Sequence, residues 1–124
     1  MSARCWPMLN NADISQFDHV YIVVGYTDLR LGVSGLALKI REELHMDPFE
    51  NSLFLFCRRK RDRIKALLYE GDRFLLLYKR LVEGKFQWPQ TADDVRTLSS
   101  DQYHLLMTGY SIDPSIGKRP SVLF

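Results

Sequence analysis

Two hydrophobic rhythms alternate along the chain, and the points where one gives way to the other mark its elements. Val20 to Gly25 (VYIVVG) is β-branched and aromatic and ends at a glycine, which predicts a buried strand. From Val33 onward the apolar residues Val33, Leu36, Ala37, Ile40 and Leu44 recur three and four positions apart, while Lys39, Arg41, Glu42 and Glu43 take the other face. That spacing predicts an amphipathic helix, opened by Ser34 or a neighbour and stopped before Pro48. Strand and helix are joined by a short polar turn, residues 26–32, in which Asp28 and Arg30 stand two residues apart.

The following stretch reads as a meander, because short apolar runs alternate with compact turn signals too closely spaced for helices. Its expected strands are Leu53 to Phe56, Ile64 to Tyr69, Phe74 to Leu81 and Lys85 to Trp88, each antiparallel to the next. Phe74 to Tyr78 is apolar on both faces and is expected at the centre of the sheet, with the helix on one side. In the last strand Phe86 and Trp88 would point one way and Lys85 and Gln87 the other, and Pro89 would close the sheet. Ser99 and Gln102 then form a capping box, with Leu98 and Tyr103 placed as a hydrophobic staple, so a helix of two to three turns should run to Gly109. The expected class is α+β: an antiparallel β-meander of about four to five strands, one amphipathic helix packed on a face, and a short C-terminal helix. Residues 1–124 form a single domain in this reading, with 1–17 an N-terminal extension and 113–124 an irregular tail.

Composition adds exclusions. With 124 residues, 46% of them apolar, the chain suits one core. Its apolar runs fall far short of the roughly 20 residues a membrane-spanning helix needs, and Met1 to Asn11 lacks the features of a secretory signal, so no membrane partner and a cytoplasmic location are expected. Cys5, Cys57, His19, His45 and His104 never fall at metal-ligand spacing, so no metal, cofactor or small-molecule substrate is expected. A Cys5–Cys57 disulfide stays open as an alternative to two free thiols in a reducing compartment.

Charge changes the picture more. The net +2 conceals a middle section, residues 58–85, with ten basic and four acidic side chains, flanked by sections of net −3 and −1. Arg58, Arg59, Lys60, Arg61, Arg63 and Lys65 against the single Asp62 concentrate +5 in eight residues. A turn of that kind can present guanidinium groups to the phosphate backbone of nucleic acid. Docking on an acidic protein surface and a merely solvated loop are the competing readings. Tyr78, Phe86 and Trp88 could stack on bases with Lys79, Arg80 and Lys85 beside them, although such aromatics more often serve a core. Asp28 and Arg30 are read as holding the strand-to-helix turn in shape, and Gly32 and Gly35 as needed for conformation or close packing. The acids Asp28, Asp62, Glu70, Asp72 and Glu83 fall mainly in separate turns, mostly beside basic residues, and no catalytic residue is assigned.

Several ordered stretches resemble the small accessory proteins encoded by the second reading frame of bacterial insertion sequences of the type numbered 66, the TnpB-like family. They are Thr27-Asp-Leu-Arg-Leu-Gly-Val-Ser-Gly-Leu36, Asp47-Pro-Phe49, Leu53-Phe-Leu-Phe56, Arg61-Asp-Arg-Ile-Lys65, Tyr69-Glu-Gly71, Phe74, Leu77-Tyr-Lys-Arg-Leu81 and Gly84-Lys-Phe-Gln-Trp-Pro89. The resemblance covers roughly residues 20–112. The chain departs from the family pattern at Leu29, Val33 and Tyr69, which conserve bulk, and at Arg61 and Arg73, where that pattern often has glycine. The resemblance implies an accessory role in DNA transposition beside a separate transposase and other element-encoded proteins, with no established catalytic activity. Two mechanisms fit it: DNA binding through the basic turn, or a protein–protein adaptor that docks on the transposase through an apolar patch, on the sheet face opposite the helix or around Tyr103 and Leu106, and never touches DNA.

Overall fold

A computed structural model describes residues 17–90 and 94–112. The expected extension before Phe17, the tail from residue 113 and Cys5 lie outside the described residues. In chain order the elements are β1 (His19–Val23), α1 (Val33–Glu42), β2 (Ser52–Cys57), β3 (Arg63–Tyr69), β4 (Phe74–Arg80), β5 (Val95–Thr97) and α2 (Ser100–Met107). The strands form one five-stranded sheet in the order β4-β3-β2-β1-β5. The class is α+β, as expected.

β2, β3 and β4 make the anticipated antiparallel meander, with Phe54 opposite Leu67 and Leu67 opposite Leu76. β1, in contrast, pairs with β2 in parallel, Val20 beside Leu53 and Ile22 beside Leu55. The cause is α1, which lies between these strands in sequence: parallel neighbours need a long crossover, and a helix supplies it. The sheet is therefore mixed, not antiparallel throughout.

Strand alternation sorts the core into two layers. Val23, Phe54, Phe56 and Leu67 meet Leu36 and Ile40 of α1 on one face. On the other, Ile22, Leu55, Cys57 and Ala66 pack with Phe86, Trp88, Tyr103 and Leu106. All six residues of β2 are buried, because this strand has neighbours on both edges and a layer on each face. Each large apolar side chain so enclosed contributes on the order of 2 kcal/mol. β2 is thus the central strand; β4, expected there, is an edge whose residues are half-buried or exposed.

The segment expected as a fourth meander strand, Lys85 to Trp88, is not one. Phe86 and Trp88 do turn inward together, at 1% and 3% exposure, but the backbone binds loops and strand ends instead of pairing along β4. Phe86 N–H donates to the Arg61 carbonyl at 2.7 Å, Gly25 N–H donates to the Pro89 carbonyl at 3.0 Å, and Trp88 Nε1–H donates to the Val23 carbonyl at 2.9 Å. The opposite sheet edge is instead β5, antiparallel to β1.

The capping box at α2 is present: Ser99 Oγ accepts from Gln102 N–H at 3.1 Å, and Ser99 N–H donates to Gln102 Oε1 at 2.9 Å. α1 has no such device, since its N-cap is Gly32 and no side chain caps it. Gly32 has φ −93 and open space around its Cβ position, so neither conformation nor packing demands glycine there. At Gly35 an added Cβ would fall 2.9 Å from Leu31 Cδ2, the end of a flexible side chain, and 3.2 Å from Leu31 Cβ. Among the described residues no helix is long and apolar enough to cross a membrane.

Candidate nucleic-acid interface

Because β1 and β2 are parallel, the chain leaves both at the same end of the sheet. The two segments that follow, residues 24–32 and 58–62, are thereby brought side by side although some thirty positions separate them. Thr27 N–H donates to the Cys57 carbonyl at 2.8 Å, and Lys65 Nζ donates to the Leu31 carbonyl at 3.0 Å. Between them lies an open cleft of about 590 Å³. Tyr26, Thr27, Asp28 and Arg30 form one wall; Arg58, Arg59, Lys60 and Arg63 form the other; Tyr78 of β4 completes it.

The basic turn is fastened at its base, since Leu81 N–H donates to the Asp62 carbonyl at 2.8 Å and Phe86 N–H to that of Arg61. Its cations are not equivalent. Arg59 and Lys60 are exposed, and Arg59 Cζ lies 5.0 Å from the centre of the Tyr26 ring. Arg58 Nε lies 2.9 Å from Asp62 Oδ1, close enough for an ion pair, yet that oxygen has no hydrogen bond, so the contact is Coulombic and not directional. Lys65 is spent on the Leu31 carbonyl, with its ammonium 5.9 Å from the Tyr78 ring centre.

Arg61 does not line the cleft. It shapes the turn: its N–H donates to the Arg58 carbonyl at 2.9 Å and its φ is +61, the left-handed region that disfavours a side chain. Relief of about 1–2 kcal/mol of backbone strain, less about 0.5–1 kcal/mol for glycine's freedom in the unfolded chain, leaves Arg61→Gly more stable by about 1 kcal/mol. Thermal unfolding of the two proteins checks this.

Asp28 and Arg30 pair with each other. Arg30 Nε and Nη2 donate to the two carboxylate oxygens at 3.0 and 2.9 Å, and Arg30 N–H donates to Asp28 Oδ1 at 3.0 Å. These bonds hold the Asp28 carboxyl down at about 2 from its ordinary 3.8. With the folded value depressed, the pairing is fully present above the ordinary pKa and is lost as pH falls through about 2. An NMR titration of the Asp28 carboxyl should therefore give a midpoint near 2, moving up toward 3.8 in Arg30→Ala.

Three further cations named from sequence stand apart from the cleft lining. Arg80 is exposed and opposite Arg63 in register, at the β4 edge. Lys79 points to the other face of the sheet, 5.8 Å from the Phe86 ring centre, and burial pushes its ammonium below the ordinary value. Lys85 is exposed beyond the end of β4. The three aromatics divide likewise: Phe86 and Trp88 belong to the core, while Tyr78 is 53% exposed.

Tyr26, 56% exposed, and Thr27, 4% exposed, are site residues that residue-by-residue reading of the sequence passed over. Their signal was available in the strand–helix–strand order, which forces β1 and β2 parallel and places their C-terminal loops together. Thr27 Oγ1 and Arg63 Nε are both buried without a hydrogen-bond partner among the described residues, and each such group costs about 1–3 kcal/mol.

Elsewhere the described residues hold no group of three His, Cys, Asp or Glu side chains placed to bind a metal. Cys57 is fully buried, and burial first, then Asp62, pushes its thiol up to about 12, so it stays protonated and unreactive. The patch anticipated for an adaptor is closed: Tyr103 and Leu106 are 3% and 0% exposed, and α2 covers the sheet face opposite α1.

Fold and cleft together define a small α+β domain with a cationic groove at the shared end of two parallel strands. The chain belongs to the family described as IS66 Orf2 like protein, whose model matches residues 18–116. It is 34% identical over 90 residues to Uncharacterized protein y4hO of Sinorhizobium fredii (strain NBRC 101917 / NGR234), covering 73% of this chain and 78% of that one. To Uncharacterized protein y4jC of the same organism it is 30% identical over 82 residues, covering 66% and 70% of the two chains. No solved structure matches it. Two of the stretches that carry the resemblance, 27–36 and 61–65, each supply residues to the cleft.

Proposed function

We propose that the protein is an accessory factor for transposition of an insertion sequence, acting in the bacterial cytoplasm beside the element's transposase, and that it works by binding DNA through this cleft and not by catalysis. Family membership supports the transposition role. The observation that carries the DNA reading is the convergence of Arg58, Arg59, Lys60 and Arg63 on one groove while the nearby carboxylates, Asp28 and Asp62, are already engaged by Arg30 and Arg58. Arg59, Lys60 and Arg63 are thereby left with capacity for an external polyanion, and arginine suits the two-pronged contact a phosphate offers.

The contacts would be mainly to the DNA backbone, which sets affinity and makes it salt-dependent. With about three phosphates neutralised, affinity for element-end duplex should fall about 40-fold between about 50 and about 200 mM salt. Fluorescence anisotropy at the two concentrations reads this directly, and affinity that does not respond to salt would remove the reading.

A further inference from the structure

We propose that the cleft holds one unpaired nucleotide of a DNA strand, its phosphate against Arg59 and Lys60 and its base against the exposed rings of Tyr26 and Tyr78; the inference rests on the DNA-binding reading above. Arg59 and Lys60 are exposed and have no ion pair among the described residues. Both line the cleft, beside Arg58 and Arg63. Cations so placed call for an oxygen-rich anion, and a phosphate supplies one.

A phosphate alone leaves the tyrosines unexplained. Both rings are more than half exposed, and each faces a cation, Arg59 at 5.0 Å from Tyr26 and Lys65 at 5.9 Å from Tyr78. Aromatic faces beside a cationic track are what single-stranded nucleic acid uses, because every base has a face to stack and a phosphate next to it. The cleft, at about 590 Å³, is within the range of roughly 300–1,000 Å³ found for small-ligand sites. A blunt duplex keeps its bases stacked inside; its phosphates can meet the cations of the cleft, but it cannot bring a base to the rings. Asp28 also lines the cleft, and its carboxylate would repel the anion were it not held by Arg30.

The test uses the full chain and labelled DNA of one sequence in two forms, a blunt duplex and the same duplex with a short unpaired overhang, followed by anisotropy. The overhang form should bind about tenfold or more tighter than the blunt form. Tyr26→Ala with Tyr78→Ala should abolish that preference, so that this variant binds the overhang form no tighter than the blunt form, and Tyr26→Phe with Tyr78→Phe should retain it. Circular dichroism verifies that each variant is folded. Equal affinity for the two DNA forms, or a preference that survives loss of both rings, overturns the inference and leaves duplex binding standing. No binding to either form at low salt overturns both.

Discussion

Trp88→Ala should cost about 3–5 kcal/mol of folding stability, the range for removing a buried aromatic side chain. Trp88 is 3% exposed and packs in the layer that also holds Ile22, Leu55 and Tyr103. Its indole N–H is committed to the Val23 carbonyl at the end of β1, so truncation leaves both a cavity and an unanswered carbonyl. Against a total of about 5–15 kcal/mol for a domain of this kind, that loss brings the protein close to unfolding at ordinary temperatures. The consequence extends to the cleft. The segment holding Trp88 donates from Leu81 and Phe86 to the basic turn and accepts from Gly25 at the other wall, so loosening it releases both sides. Trp88→Phe keeps most of the volume and should lose about 1–2 kcal/mol, chiefly the hydrogen bond. Urea unfolding followed by circular dichroism measures both; a loss under about 1 kcal/mol for the alanine variant would mean that the segment is not the anchor described.

Reversing the two exposed rim cations, Arg59→Glu with Lys60→Glu, should weaken binding to DNA on the order of 100-fold at low salt and lower the slope of log affinity against log salt by about 2. Neither residue has an ion-pair partner among the described residues, so the fold loses nothing large and stability should hold to within about 0.5 kcal/mol. Arg73→Glu is the matching control. It lies in the β3–β4 turn at the far end of the strands, bound to Asp72 at 2.7 Å, and its reversal should leave affinity nearly unchanged. Equal losses from the two ends would indicate general charge attraction and no defined site.

Much of the fold was legible because its signals are local. The β-branched run of β1, the helical spacing of α1, the turn at Gly71 with φ +91 and the Ser99 capping box each announce themselves within a few residues. What was not legible depends on distant partners. Lys85 to Trp88 has the alternation of a strand, but alternation reports which side chains point inward, not where the backbone hydrogen bonds go. The two aromatics do point inward, and the bonds go to Arg61 and to the end of β1. β5 is three residues long, too short for a period to show, and is made a strand by pairing with β1. β4 looked central because it is apolar on both faces; its edge position follows from the sheet order that the crossover imposes.

The site divides in the same way. The density of positive charge was visible at once, and four of its six members do line one groove. Arg61 and Lys65 could not be separated from them by sequence, since one is held by its backbone conformation and the other by a carbonyl 34 positions away. Tyr26 and Thr27 acquire a role through the parallel pairing of β1 with β2, which makes a strand-to-helix turn into the second wall of a cleft.

The most direct test of that cleft is a map of where DNA touches the protein. Backbone amide shifts recorded by NMR while DNA is added should change most at residues 26–30, 58–63 and 78, with little change along α2 and β5. Shifts centred instead on α1 around Leu38, or on the β3–β4 turn at Gly71, would place the contact elsewhere and contradict the account.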